Sequence, residues 1–200
     1  MKFYRRSRGR PRSLGILPGT FNPPTRAHLA LAYAALEFVD EVVFVLPAVL
    51  PHKSYGKVTL EGRLRMLKAT LRGERRFSIA STAGGLLIEI ARECRDAYGP
   101  AVSLKFLCGR DAAERFVNWD YGRPGAFLEQ LREFELLVAP RGGTYEPPEE
   151  MRDRIQMLPD FTGQDEVSGT EVRTRIKQGL AWEHLVPSRI VAMVRELYGG

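Results

Sequence analysis

Apolar runs and segments with helical spacing alternate along the chain. Continuous apolar runs are typical of strands covered on both faces, and apolar residues three or four positions apart are typical of amphipathic helices. The predicted strands cover residues 14–17, 42–46, 77–80, 102–107, 135–139 and 154–158, and the predicted helices cover 26–38, 59–71, 85–98, 112–116, 125–132, 168–178 and 187–198. This alternation predicts an α/β fold built on a doubly wound parallel sheet.

Residues suited to chemistry follow the predicted strands. They lie at 19–28, 51–53, 109–111 and 119–121. In open parallel sheets, ligands bind beyond the carboxyl ends of the strands, where the strand order reverses. The sequence therefore predicts one binding cleft at this edge of the sheet.

The first predicted strand runs through a turn into a helix. Gly19 and Pro23-Pro24 interrupt the pattern, Thr25 can cap the helix, and His28 falls in the first helical turn. A helix N-terminus presents unpaired N–H groups and the positive end of a dipole, which suit a phosphate. The unit indicates a phosphate-binding loop, but a simple strand-to-helix turn with an incidental histidine has the same pattern.

Composition and charge restrict the class of protein. The 200 residues are 44% hydrophobic and 27% charged, as in a globular domain with a substantial core. The net charge of +6 resides in residues 1–12, which hold six basic residues and no acid. We expect residues 1–13 to form a basic, flexible tail and residues 14–200 to form a single domain. With a neutral body, nucleic acid is an unexpected partner.

Cysteine usage and hydropathy indicate a cytoplasmic protein. Cys94 and Cys108 have neither a metal-site spacing nor a CxxC partner, which predicts buried free thiols in a reducing compartment. We find neither a secretory signal nor an apolar segment of membrane-spanning length, so no membrane association is expected. Homo-oligomer formation stays open, because no apolar stripe marks an interface.

Four segments resemble, in order, the motifs of the nucleotidylyltransferase superfamily, and most of all those of bacterial nicotinate-nucleotide adenylyltransferases. Residues 14–28 resemble the GxFxPxHxGH signature, with Thr25 as a family alternative to His and Ala27 where Gly is usual. The other three are Pro51-His52-Lys53 for PxHK/R, Gly109-Arg110-Asp111 with Trp119 for GxD…W, and residues 168–173 for ISxTxxR. The match extends from about Leu14 to Gly199.

This resemblance implies a Rossmann-like nucleotidylyltransferase fold and an enzymatic activity. The implied reaction transfers the adenylyl group of ATP to nicotinate (or nicotinamide) mononucleotide, giving the dinucleotide and pyrophosphate in NAD biosynthesis. In such a reaction the acceptor phosphate attacks the α-phosphate of ATP in line, so no protein nucleophile is needed. Positioning and charge stabilisation supply the catalysis, with Mg²⁺ bridging the ATP phosphates.

The resemblance also implies residue roles. We expect His28, Lys53 and Arg173 to be catalytic, with His28 donating hydrogen bonds to the triphosphate. The expected ATP-binding residues further include Gly19, Thr20, Phe21, Thr25, Gly109, Asp111, Ser168 and Thr170. The expected acceptor-binding residues are Asn22, His52, Thr82 and Trp119, and no residue is expected to bind a metal directly.

Several of these residues also have a structural interpretation. Thr25, Asp111 and Ser168 could be ordinary helix caps, and Trp119 could be a core aromatic residue. Arg26 and Arg110, which the family motifs do not contain, are additional candidates for phosphate contacts.

The acceptor is less well defined than ATP. Bacterial nicotinate-nucleotide enzymes usually carry a Tyr-Thr pair where this chain has Leu86-Leu87, and leucine offers no hydrogen bond to a carboxylate. Ser81, Thr82 or the backbone of residues 84–85 could replace that pair. Alternatively, the protein is a phosphopantetheine adenylyltransferase or a cytidylyltransferase, or a non-catalytic nucleotide-binding regulator that uses its basic tail on a polyanion.

Overall fold

The computed structural model describes residues 1–48, 58–140, 145–159 and 167–199. The described residues form a seven-stranded sheet. Its strands are Lys2–Arg5 (β1), Ser13–Pro18 (β2), Glu41–Pro47 (β3), Phe77–Thr82 (β4), Ser103–Gly109 (β5), Glu135–Ala139 (β6) and Ile155–Met157 (β7). The predicted residues 51–53, which include His52 and Lys53, lie outside the described residues.

The strand order places a switch point at the middle of the sheet. The order is β1-β4-β3-β2-β5-β6-β7, and all neighbouring strands are parallel except β1 and β4. Without β1, this is the order of the doubly wound dinucleotide-binding fold, whose direction reverses between its first and fourth strands. Those strands are β2 and β5, so the predicted fold class is confirmed and the ligand site is expected beyond their carboxyl ends.

Seven α-helices connect and cover the strands in the described part of the chain. They are Arg26–Ala35 (α1), Leu60–Thr70 (α2), Leu87–Tyr98 (α3), Arg110–Val117 (α4), Ala126–Gln130 (α5), Gly169–Gln178 (α6) and Val191–Tyr198 (α7). Side-chain caps define several of their starts. The hydroxyl of Thr59 accepts a hydrogen bond from the backbone N–H of Gly62 at 3.2 Å, and Ser168 accepts one from Glu171 at 3.1 Å.

Alternate residues of the central strands pack on opposite faces of the sheet. Val43 and Val45 of β3 belong to the core beneath α3, α4 and α5, whereas Val42 and Phe44 belong to the core beneath α1 and α2. This period of two on a fully buried strand explains its continuous apolar sequence. A third apolar cluster joins α2, α6 and α7, so the C-terminal segment packs against the same side as α2.

The expectation of a flexible basic tail is wrong for its first part. Lys2–Arg5 forms β1, which pairs antiparallel with β4 at the sheet edge. Tyr4 packs on the core, and the guanidinium of Arg6 lies over the rings of Phe3 and Tyr98, 4.6 and 5.0 Å from their centroids. Charged residues are tolerated in an edge strand because they remain at the solvent boundary. The strand is short and charged, so it lacks the apolar run that predicts an inner strand.

The described residues contain no helix that is both long and apolar enough to cross a bilayer. Cys94 and Cys108 are free and buried, which agrees with the prediction of buried thiols.

We expect both buried thiols to be unreactive toward disulfide-exchange reagents in the folded protein. Burial raises the pKa of each thiol to about 12, so neither forms the reactive thiolate at pH 8. We expect a disulfide-exchange reagent to label neither cysteine at pH 8 in the native state and both after denaturation. Rapid labelling of either cysteine in the native protein would contradict their placement in the core.

Candidate active site

A cleft of about 620 Å³ lies beyond the carboxyl ends of β2 and β5. Its walls come from the β2–α1 loop, the segment before α3, one side of α4, and the N-terminal turn of α6. Pro18 and Gly19 line it where β2 ends, and Cys108 and Gly109 line it at the end of β5. The cleft therefore sits at the switch point, where the fold predicts a ligand.

Phe21 shapes the loop between β2 and α1. Its backbone has φ of 47°, a left-handed conformation that bulky residues rarely adopt, while its ring is only 1% exposed. The ring packs against His28 and Phe44, with centroids 5.2 and 5.5 Å away. A Cβ atom on Gly19 would lie 3.1 Å from this ring. Glycine at position 19 therefore allows the loop to pack closely against the ring of Phe21.

Thr25 and His28 cap the N-terminus of α1 reciprocally. The backbone N–H of Thr25 donates to Nδ1 of His28 at 3.0 Å, and the backbone N–H of His28 donates to Oγ1 of Thr25 at 3.4 Å. An N–H group can only donate, so Nδ1 is the unprotonated nitrogen and the proton of the neutral ring lies on Nε2. The cap thus sets both the orientation and the tautomer of a histidine that lines the cleft.

The start of α6 packs directly against the β2–α1 loop. A Cβ atom on Gly169 would lie 3.0 Å from the carbonyl oxygen of Asn22 and 3.2 Å from that of Pro23. The guanidinium of Arg173 donates to the carbonyl of Asn22 and, at 3.1 Å, to Oγ1 of Thr170. Two helix N-termini, those of α1 and α6, consequently face the same cleft, which is the arrangement that favours a polyphosphate.

Two further side chains hold the same loop from outside the cleft. Arg63 of α2 is only 4% exposed and donates to the carbonyl of Thr20 at 3.1 Å. The hydroxyl of Tyr198, at the end of α7, donates to the side-chain oxygen of Asn22. Burial raises the pKa of this tyrosine, so it remains a neutral donor at physiological pH. The loop is therefore anchored from α2, α6 and α7.

One side of α4 forms the other end of the cleft. Ala112, Arg115 and Phe116 of α4 line it at spacings of three and four residues, as expected for one helical face, and Trp119 lines it just after the helix ends. Trp119 is 44% exposed, too exposed for the core aromatic that we considered as an alternative. Tyr121 lines the cleft beside it. An exposed aromatic wall of this kind can stack on a planar ring.

The structure brings most of the predicted site residues together. Those that line the cleft are Gly19, Thr20, Asn22, His28, Gly109, Trp119, Ser168, Thr170 and Arg173. His52 and Lys53 lie outside the described residues.

Four predicted residues do not line the cleft. Phe21 is part of the core, and Thr25 is fully buried in its capping role. The residue Thr82 is buried, with 3% of its surface exposed, and its hydroxyl donates to the carbonyl of Gly84 at 2.9 Å. The side chain of Asp111 is 70% exposed and lies beside Arg110. Asp111 does not line the cleft because it precedes the cleft-facing Ala112 by one residue on α4, so its side chain points in another direction.

The two additional arginine candidates are also turned away from the cleft lining. Arg26 donates to the carbonyl of Val186 at 3.2 Å. The Nε atom of Arg110 lies 3.6 Å from Glu114 and 3.7 Å from Asp111. Their interpretation as phosphate contacts is not supported by this placement.

Sequence reasoning missed three residues of the site and its support, namely Arg63, Arg115 and Tyr198. Arg63 lies one helical turn before the apolar Leu67, so the sequence alone places a cation on the apolar face of α2. Arg115 could have been found from its spacing of four residues to Trp119. The contact of Tyr198 with Asn22 had no local signal, because 176 residues separate the two positions.

The described lining of the cleft contains no carboxylate. Likewise, the described residues contain no cluster of three or more histidine, cysteine, aspartate or glutamate side chains that could hold a metal ion. The site as described is therefore one for anions, with positive charge and N–H donors on its walls.

Comparisons with known proteins agree with this geometry. Residues 16–175 match the family model described as cytidylyltransferase-like. Proteins named "probable nicotinate-nucleotide adenylyltransferase" from Thermus thermophilus and Exiguobacterium sibiricum are 30% and 29% identical to this chain. The first alignment covers 93% of this chain and 97% of the relative, and the second covers 92% and 96%.

Proteins of known structure share this fold. A nicotinic acid mononucleotide adenylyltransferase from Plasmodium falciparum, solved in complex with NaAD, superposes with a TM-score of 0.70. The superposition covers 92% of this chain and 95% of that chain at 14% sequence identity. At this identity the similarity establishes the fold, and the nucleotidylyltransferase resemblance of the sequence motifs is confirmed by the family match.

The contact between α6 and the loop can be tested by filling it. We expect Gly169→Ala to lower kcat/KM for ATP by about tenfold or more, because its methyl group would push α6 away from the carbonyls of Asn22 and Pro23. Alanine has the higher helix propensity, so a loss cannot come from the helix itself. Gly9→Ala, at an exposed position where a Cβ atom meets only ordinary contacts, is the matched control. Unchanged ATP kinetics would contradict the proposed close approach.

Proposed function

The chain belongs to the cytidylyltransferase-like family, and on this premise we propose that it is an ATP-dependent adenylyltransferase acting on nicotinate mononucleotide. The reaction forms nicotinate adenine dinucleotide and releases pyrophosphate, a step of NAD biosynthesis. The names of the relatives support this acceptor, since these relatives align with more than nine-tenths of the chain. The nicotinamide form of the mononucleotide is the competing acceptor.

One observation carries this proposal. The N-termini of α1 and α6 converge on a cleft at the switch point of the sheet, and the aromatic side chains of Phe116, Trp119 and Tyr121 line the same cleft. The helix termini suit the phosphates of ATP and of the acceptor, and the aromatic wall suits a flat ring.

In the proposed reaction, a phosphate oxygen of the mononucleotide attacks the α-phosphorus of ATP. A new P–O bond forms on one side while the bond to the β-phosphate oxygen breaks on the other, and pyrophosphate leaves with its electron pair. The contribution of the protein is to align the two phosphates and to stabilise the charge that moves onto the leaving group.

His28 is the central residue of this mechanism. Its Nδ1 atom is engaged in the cap of α1, so Nε2 is the nitrogen that carries a proton available to phosphate oxygens. A neutral imidazole donating from Nε2 stabilises the departing pyrophosphate without transferring a proton. His28 therefore acts as a preorganised hydrogen-bond donor.

The start of α6 supplies further donors. Ser168, Gly169, Thr170 and Arg173 line the cleft, and their hydroxyl, backbone N–H and guanidinium groups are the proposed donors. Because Arg173 already donates to Asn22, its guanidinium is fixed in position before ATP binds. Lys53 stays a predicted phosphate contact.

Mg²⁺ is proposed as the metal that accompanies ATP. The described cleft lining has no carboxylate, so it fits an ion held mainly by phosphate oxygens and water rather than by side chains. When bound, the ion neutralises part of the phosphate charge. A cytoplasmic location is proposed as well, in agreement with two free cysteines and the use of ATP.

The proposed function can be tested with a panel of acceptors. Purified protein is incubated with Mg-ATP and, in turn, nicotinate mononucleotide, nicotinamide mononucleotide and phosphopantetheine, and a parallel reaction contains Mg-CTP. We expect rapid pyrophosphate release with ATP and nicotinate mononucleotide. Release only with phosphopantetheine or only from CTP would assign a sister activity, and ATP binding without any release would indicate a non-catalytic protein.

The proposed catalytic role of His28 can be tested separately from its role as a helix cap. We expect His28→Asn to reduce kcat by about 100-fold or more, because asparagine can keep the acceptor near Thr25 but lacks the Nε2 donor. The thermal unfolding midpoint should stay close to that of the unchanged protein. His184→Asn, at an exposed histidine, is the control. If His28→Asn kept near-normal turnover, the histidine would be only a helix cap.

A further inference from the structure

The proposed function requires a group that recognises the ring substituent of the acceptor. The following inference rests on that function and concerns how a pyridine carboxylate is distinguished from its neutral amide. The difference is one negative charge, which only a suitably placed cation or set of donors can detect.

The backbone before α3 has no N–H group left for this task between residues 83 and 86. The N–H groups of Ala83 and Gly84 donate to Glu93 at 2.8 and 3.0 Å. Those of Gly85 and Leu86 donate to Glu89 at 2.9 and 3.0 Å. The two glutamates already use the four donors, and their negative charges would oppose a second carboxylate.

The hydroxyl groups next to this segment are engaged as well. Thr82 donates to the carbonyl of Gly84, and Ser81 lies 3.3 Å from the hydroxyl of Tyr4 in a hydrogen bond. Leu86, which is 47% exposed, presents an apolar surface to the cleft. The alternatives that the sequence offered on this wall, namely Ser81, Thr82 and the backbone of residues 84–85, therefore do not supply a carboxylate site.

The opposite wall carries a cation. Arg115 lies on the cleft-facing side of α4 together with Phe116, and Trp119 lines the cleft just after the helix ends. Its guanidinium makes no hydrogen bond or ion pair with any other residue that the structure describes. Arg115 lines the cleft together with Cys108 at the end of β5. Burial raises the pKa of the Cys108 thiol, and the positive charge of Arg115 opposes this shift.

The two cations of the described cleft lining have separate surroundings. Arg173 is held by Asn22 and Thr170 at the helix N-termini, on the phosphate side. Arg115 is on the aromatic side. Tyr121 on that side is neutral at physiological pH, since burial raises its pKa to about 12, and its hydroxyl donates to the carbonyl of Phe116 at 3.0 Å.

We propose that Arg115 is a specificity-determining residue that binds the carboxylate of the acceptor's pyridine ring while Trp119 stacks on the ring. A guanidinium presents two parallel N–H donors that match the two oxygens of a carboxylate. An amide offers one oxygen and no charge, so the same arginine binds it less well. Arg115 thereby supplies a discrimination that the engaged hydroxyl and N–H groups of residues 81–86 do not supply.

Calorimetric titration of the full-length protein with each mononucleotide tests this assignment without requiring turnover. We expect the unchanged protein to bind nicotinate mononucleotide more tightly than nicotinamide mononucleotide. In Arg115→Gln, affinity for the nicotinate form should fall by about 10- to 100-fold, the range for a lost charge-assisted hydrogen bond, while affinity for the nicotinamide form stays within about twofold. Arg92→Gln, an exposed arginine of α3 outside the cleft lining, makes the same charge change as a control.

The outcomes separate this inference from the proposed function. If Arg115→Gln weakens both ligands equally, or neither, Arg115 does not read the carboxylate, even when the unchanged protein makes the dinucleotide. A preference of the unchanged protein for the nicotinamide form also overturns the inference. If the unchanged protein binds neither mononucleotide, both the inference and the proposed function fail.

Discussion

The cleft depends on the contact between the carbonyl of Asn22 and the start of α6. Asn22 and Arg173 are 151 residues apart, and they meet because Gly169 has no Cβ atom and because Arg173 donates to that carbonyl. A larger residue at position 169 would separate the two helix N-termini that we propose act on the same phosphate chain. The nearby bonds from Arg63 and Tyr198 fix the loop on its other sides, so the phosphate site is built before any ligand arrives.

His28 likewise combines a structural role with a place in the cleft. A single side chain closes the cap of α1 through Nδ1 and lines the cleft, so the local structure determines which nitrogen is protonated. Thr25 in the variant signature suits this arrangement, since its hydroxyl and its backbone N–H both engage the histidine. In this chain Thr25 acts mainly through His28, which explains why it is fully buried in a loop of the active site.

Periodicity was sufficient to predict the parallel strands, and their topology was sufficient to predict the edge at which the site lies. It was not sufficient for β1, because Lys2–Arg5 is short, charged and stabilised by pairing at the sheet edge. Motif spacing located His28, Trp119 and Arg173 in the cleft but misplaced Asp111, whose side of α4 is decided by packing. The supports from Arg63 and Tyr198 could not be predicted by local rules, since they join elements 43 and 176 residues apart.

The distribution of charge in the cleft favours one orientation of the acceptor. Glu89 and Glu93 are turned toward backbone N–H groups, and the described lining keeps only uncharged and cationic groups. Arg173 lies with the helix N-termini, whereas Arg115 lies among aromatic residues of the lining. An acceptor with a phosphate at one end and an anionic ring at the other matches both cationic regions in only one orientation. In that orientation its phosphate reaches the helix N-termini, where the α-phosphate of ATP must also lie, so one charge pattern serves both recognition and alignment.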